Sequence, residues 1–263
     1  MMDFLIRKFL YYPEKIGEDE PLPPHCRHAR EVWLASSAGD RIHGLYWPAR
    51  PGRPTILFFH GNAQSVYEWA FIREDFACLQ AGLLIIDYPG YGKSSGRPSE
   101  ERLLAAGHCA VNWISETQNV ALEQLIVFGK SLGGAVACAV AEDRPLRALI
   151  LESTFRSIPA VARVLLPMVP TEWAFSRERY DSLARMARIH CPVLVIHGTA
   201  DGLIPFEEGK ALFEASPNPK ELYAVPGAGH NNVSIVAGGQ YCRTIRHWLE
   251  TVNRFAPHSQ PTE

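Results

Sequence analysis

Three side chains, far apart along the chain, have the types needed for nucleophilic acyl chemistry: Ser131, Asp201 and His230. Ser131 lies in Gly129-Lys130-Ser131-Leu132-Gly133, a G-x-S-x-G pattern. A serine hydroxyl attacks poorly until a neighbouring base takes its proton. Of the ten histidines, His230 is the best placed, in Pro226-Gly227-Ala228-Gly229-His230, where glycines allow a tight loop. Asp201, in His197-Gly198-Thr199-Ala200-Asp201, supplies a carboxylate to accept the other imidazole N–H, fix the tautomer and stabilise the imidazolium. Asp181 is the weaker rival for that role, and His197 is expected to shape its turn rather than perform chemistry. A phosphate-binding loop is the competing reading of the two Gly-Lys-Ser triplets. G-x-x-x-x-G-K-[ST] needs glycine where Gln124 and Asp87 stand, so both triplets fail.

The elements flanking these residues explain how they could meet. Glu31 to Ala35 and Arg41 to Trp47 read as two strands joined by a turn, and Thr55 to Phe59 as a strand covered on both faces. Helical stretches then alternate with strands. A helix at about 65–79 precedes a strand at 83–86, and one at about 100–115 precedes a strand at 124–128. A helix at 132–142 leads to a strand at 146–151. After an excursion come a strand at 192–196, a helix at 206–215, a strand at 221–225 and a last helix to about Asn253. This pattern predicts an α/β fold with a mostly parallel sheet. Ser131 directly follows one strand and directly precedes a helix, which places its hydroxyl at the carboxyl edge where such sheets bind ligands. Residues 1–28 read as a lead-in, 29–255 as one domain and 256–263 as a frayed tail, and the proline-interrupted excursion at about 153–190 reads as a small lid.

Phe58-Phe59-His60-Gly61-Asn62-Ala63, Asp87-Tyr88-Pro89-Gly90-Tyr91-Gly92, Gly129-Lys130-Ser131-Leu132-Gly133-Gly134 and His197-Gly198-Thr199-Ala200-Asp201 together resemble the alpha/beta-hydrolase superfamily, from about Val32 to Leu249. The order nucleophile, acid, histidine is that of this fold. The resemblance is to the lid-poor branch of alpha/beta-hydrolase-domain proteins that includes protein depalmitoylases, near peptidases of the prolyl oligopeptidase type. It implies an eight-stranded sheet and ester, thioester or amide hydrolysis with no cofactor and no metal. The oxyanion hole then falls to the N–H groups of Asn62 and Leu132. His60 and Asp87 are expected to be scaffold. An aspartate or cysteine nucleophile would signal dehalogenase, epoxide-hydrolase or dienelactone chemistry, and Ser131 argues against all three. The expected activity is hydrolysis of esters or thioesters through an acyl-enzyme. A serine peptidase is the runner-up, and a non-catalytic binding protein of the same fold a distant third.

Composition agrees with a small-molecule or acyl substrate. The chain of 263 residues is 47% apolar and carries a formal charge of -2, which offers no basic footprint for nucleic acid. The six scattered cysteines form no C-x-x-C pair and are expected to be reduced. Phe4, Leu5, Phe9 and Tyr12 approximate a helical stripe beside Arg7 and Lys8. A helix on the domain's own surface is the favoured reading there, and peripheral membrane contact through residues 1–12 the alternative. The expected location is cytoplasmic, and oligomeric state is not readable.

Overall fold

The apolar runs form the centre of one eight-stranded sheet. The structure, a computed structural model, describes residues 7, 10–165 and 168–253. The strands are β1 (Arg30–Ala35), β2 (Arg41–Trp47), β3 (Thr55–Phe59), β4 (Gly82–Ile86), β5 (Leu125–Lys130), β6 (Ala148–Glu152), β7 (Val193–Gly198) and β8 (Lys220–Val225). They lie in the order β8-β7-β6-β5-β3-β4-β2-β1. Only the β1–β2 and β2–β4 pairings are antiparallel; the rest are parallel.

Successive side chains of a strand point to opposite faces, and both faces here are packed. Leu57 and Phe59 of β3, with Val127 of β5, enter one apolar cluster; Ile56 and Phe58, with Ile126 and Phe128, enter the other. This double burial is why these strands read as unbroken apolar runs. The helices are α1 (Val66–Trp69), α2 (Ile72–Asp75), α3 (Glu100–Asn112), α4 (Leu132–Ala141), α5 (Ile158–Leu165), α6 (Thr171–Ala174), α7 (Ser182–Arg185), α8 (Phe206–Ala215), α9 (Val233–Ala237) and α10 (Gly239–Asn253). Helices α3 and α4 cover the first face, through Leu103, Ala106, Val136 and Val140 among others. The second is covered by α1, α2 and α10, through Val66, Ile72, Tyr241, Ile245 and Trp248. Ser99 caps α3, accepting from the Arg102 N–H at 3.4 Å, and Glu100 and Glu101 lie favourably in its first turn. No helix among the described residues is long and apolar enough to cross a membrane.

Two expectations are corrected. The helix at about 65–79 is three pieces: α1, α2 and a 3-10 turn, Ala77–Leu79. Val66 and Ala70 belong to one helical stripe, which would next reach the charged Arg73 and Glu74. Breaking the helix after Trp69 resets the phase, so that Ile72, Phe76 and Leu79 are buried instead. The second correction concerns the thiols. Cys78 and Cys242 form a disulfide, with Cα atoms 6.1 Å apart across a sequence separation of 164 residues. Cys78 is on the 3-10 turn and Cys242 near the start of α10, a proximity that cysteine spacing cannot reveal. Cys26, Cys109, Cys138 and Cys191 are free, and burial pushes the Cys138 and Cys191 thiols up to about 12. The proposed stripe residues Phe4, Leu5, Lys8 and Phe9, and the tail at 256–263, lie outside the described residues.

Candidate active site

The parallel register sets the site. Lys130 of β5 pairs with Glu152 of β6, Glu152 with Ile196 of β7, and Ile196 with Tyr223 of β8. The segments following β5, β7 and β8 therefore leave the sheet at one edge, and they carry Ser131, Asp201 and His230 respectively.

Ser131 occupies the turn between β5 and α4 with φ 54° and ψ -122°. That backbone conformation is costly for a residue with a side chain. It is held on both sides: the Ser131 N–H donates to the Glu152 carbonyl at 2.9 Å, and the Thr154 hydroxyl donates to the Ser131 carbonyl at 2.7 Å. The turn is too tight for side chains beside it. A Cβ at Gly129 would stand 2.3 Å from the Gly133 carbonyl oxygen, and one at Gly133 would stand 2.1 Å from that of Phe59. Beneath the turn, buried Glu152 accepts from the Lys130 ammonium and the Tyr241 hydroxyl, tying the turn to α10.

The hydroxyl so presented meets the histidine. His230 Nε2 lies 3.1 Å from Ser131 Oγ, and Nδ1 lies 2.8 Å from Asp201 Oδ2. With Nδ1–H donating to the carboxylate, Nε2 is left to accept the serine proton. The other carboxylate oxygen accepts the N–H groups of Leu203 at 2.9 Å and Ile204 at 2.8 Å. Burial alone would raise the Asp201 pKa. Hydrogen bonds from His197 and His230, the charge of His230 and the Ile204 N–H outweigh it and hold the carboxyl well below the usual range.

His197 shapes the turn that carries Asp201. Its Nε2–H donates to the Ile204 carbonyl at 2.9 Å and stands 3.4 Å from Asp201 Oδ2. It is fully buried, and Gly209 of α8 makes room for it, since a Cβ there would stand 2.3 Å from Nδ1. Spacing offered one signal, His197 and Asp201 being four residues apart across a glycine turn. The rival Asp181 is elsewhere: it caps α7 by accepting the Ala184 N–H at 3.1 Å, and its side chain is 41% exposed.

Neither proposed oxyanion donor is engaged among the described residues. The N–H of Leu132, first residue of α4, and that of Asn62 have no acceptor among the described residues. The Asn62 loop is braced from behind. Tyr91 and Tyr88 donate their hydroxyls to the Asn62 and His60 carbonyls at 2.9 and 2.8 Å. His60 is buried with its ring 4.4 Å from that of Tyr88, and burial lowers its pKa, so it stays neutral scaffold. Asp87 is scaffold too, bonded to His43 Nδ1 at 2.7 Å and to the Val66 N–H at 2.9 Å.

Above the serine lies a cleft of about 330 Å³, floored by Ser131 and Leu132 and lined by Ile158, Val161 and Leu165 of α5 and by Leu203. None of the described lining side chains carries a charge. The excursion after β6 thus contacts the cleft. Leu10 and Tyr12 also line it, a contribution that the reading of residues 1–28 as a lead-in missed. Among the described residues no group of three or more His, Cys, Asp or Glu side chains is arranged to hold a metal ion.

The sheet order, the serine-bearing turn between β5 and α4 and the shared sheet edge define a class of protein, and comparison with known proteins agrees. Residues 54–175 match the family model described as alpha/beta hydrolase fold. An uncharacterised protein of Mycobacterium tuberculosis is 34% identical, over 92% of this chain and 86% of its own. The alpha/beta hydrolase domain-containing protein WAV2 of Arabidopsis thaliana is 30% identical, over 96% of this chain and 89% of its own. This chain belongs to the alpha/beta-hydrolase family. Among solved structures, an alpha-beta hydrolase from Vibrio vulnificus superposes with a TM-score of 0.74 at 22% identity, covering 92% of this chain and 93% of the other. An esterase of Pyrococcus furiosus superposes with a TM-score of 0.70 at 18% identity, covering 92% and 97%.

Proposed function

We propose that this hydrolase cleaves carboxylic esters or thioesters through an acyl-enzyme, with Ser131 as nucleophile, His230 as base and Asp201 as its orienting acid. The observation that carries the reading is the single imidazole reaching Ser131 Oγ at 3.1 Å and Asp201 Oδ2 at 2.8 Å. Ser131 Oγ attacks the acyl carbon while its proton passes to His230 Nε2. The negative oxygen so formed is met by the Leu132 and Asn62 N–H groups, each worth about 2.7–4 kcal/mol by comparison with measured oxyanion donors. His230 returns the proton to the leaving alkoxide or thiolate; water that His230 deprotonates then breaks the Ser131–acyl bond, and His230 returns that proton to Ser131 Oγ as the acid departs. Asp201 stays ionised and stabilises the imidazolium.

The uncharged cleft favours an apolar acyl group over a peptide, whose terminus would need a charged partner. The excursion at 153–190 serves in this reading as a lid, since α5 forms part of the cleft wall. The discriminating experiment is a panel of p-nitrophenyl esters and acyl thioesters with aminoacyl-nitroanilides alongside. Ester or thioester turnover at least tenfold above nitroanilide turnover is expected. Preferential nitroanilide cleavage would overturn the reading in favour of a peptidase.

A further inference from the structure

The chain preceding the sheet is built into the cleft. Leu10 and Tyr12 line it together with Ser131 and Leu132. Their backbone is fastened to the loop that follows β3. The Asn62 carboxamide donates to the Leu10 carbonyl at 3.0 Å, the Tyr12 N–H donates to the Asn62 carbonyl at 3.0 Å, and Tyr12–Pro13 pairs in parallel with Ala63–Gln64. Between the two lining residues, Tyr11 is buried at 3% exposure and points to the excursion instead. Its hydroxyl donates to Glu178 at 2.5 Å and lies 2.7 Å from the Tyr180 hydroxyl. Glu178 is itself 2% exposed, and it also accepts from Arg7 at 2.7 Å and from the Glu100 N–H at 2.8 Å. Glu100 in turn accepts the N–H groups of Arg179 at 2.7 Å and Tyr180 at 3.0 Å. One short segment therefore joins the Asn62 loop to the excursion across the mouth of the site.

Resting on the hydrolase reading above, we propose that Leu10 and Tyr12 set the length of apolar acyl chain that the site accepts, and that Tyr11 is the positioning residue that keeps them in place. The cleft's volume, about 330 Å³, is at the small end of ligand sites, so one side chain in its wall changes capacity appreciably. Each methylene excluded from an apolar wall lowers binding by about fourfold. The segment also explains why the Asn62 side chain is a carboxamide: a donor is needed to hold Leu10.

The test has two arms, both reading chain-length selectivity, which a general loss of fold would not shift. In the first, kcat/KM is measured for p-nitrophenyl acetate, butyrate, octanoate and laurate. Leu10→Trp is expected to lower the octanoate-to-acetate ratio roughly tenfold or more, Leu10→Ala to move the optimum to longer chains, and Tyr11→Phe to flatten the preference by about fivefold. In the second, octanoate and butanoate binding to the Ser131→Ala protein is titrated with and without Leu10→Trp, which needs no turnover. Loss of octanoate binding alone supports the inference. Octanoate binding that Leu10→Trp leaves unchanged overturns it, even if wild-type esterase activity is strong. A wild-type protein that binds octanoate selectively, loses that selectivity with Leu10→Trp and hydrolyses no ester would instead overturn the hydrolase reading and keep this one.

Discussion

At the scale of single residues, Asp201 is the most heavily solvated group in the site, by protein rather than by water. Two backbone N–H groups and His230 reach its carboxylate within 2.9 Å, and His197 stands 3.4 Å away. Asp201→Asn places an amide where His230 needs an acceptor, and kcat is expected to fall by about 10³–10⁴-fold with the fold retained, as checked by steady-state kinetics and circular dichroism. The pH dependence of stability follows from the same contacts. The folded carboxyl titrates below its ordinary value of 3.8, so its contribution is complete above that value and is lost as pH falls through the folded pKa. The melting-temperature gap between wild type and Asp201→Asn is therefore expected at about pH 5 and should narrow below about pH 3.5. A gap that widened on acidification would contradict the direction of the shift. His197→Asn removes the imidazole that stands 3.4 Å from the carboxylate and holds the Ile204 carbonyl; a loss of about 1 kcal/mol there is expected to lower kcat roughly fivefold at unchanged KM. Sequence made Ser131, His230 and Asp201 legible because motif and chain order constrain them. The closeness of His197 to the carboxylate is not legible, because it depends on Asp201 folding back beside it.

Elements tell a similar story about what is local and what is not. The central strands were legible because double burial leaves apolar runs such as Thr55–Phe59, and the half-exposed edge strands Arg30–Ala35 and Lys220–Val225 because turn residues bound them. The break in the helix at 65–79 was not, since it depends on which of Val66, Ala70, Ile72, Phe76 and Leu79 the sheet buries, and no single helical stripe includes them all. The disulfide was the least legible feature, joining the turn Ala77–Leu79 to α10 across 164 residues. Closing so long a loop is worth about 2–5 kcal/mol in chain-entropy terms, so Cys78→Ser/Cys242→Ser should lower the melting temperature by roughly 5–15 °C. Titrating thiols in the denatured, unreduced protein checks the bond itself: four reactive thiols are expected from Cys26, Cys109, Cys138 and Cys191, and six would contradict it. Cys242 adjoins Tyr241, which donates to Glu152 under the serine turn, so the bond also braces the element that supports Ser131.

For the molecule as a whole, the fold converts sequence distance into proximity. Ser131 and His230 are 99 residues apart, yet parallel pairing from β5 to β8 delivers them to one edge within hydrogen-bond reach. The same edge receives the excursion after β6 and the segment from Leu10 to Pro13, so the cleft has walls from both ends of the chain's first two-thirds. Apolar walls around Ser131 suit the acyl substrate proposed above, and the unengaged N–H groups of Asn62 and Leu132 are the donors that proposal assigns to its carbonyl. Covalent labelling with a fluorophosphonate probe, with the adduct located by peptide mass spectrometry, tests the assignment of the nucleophile most directly. The adduct is expected on the peptide containing Ser131 and is expected to vanish in Ser131→Ala; labelling that survives the substitution, or an adduct located on another residue, would contradict it.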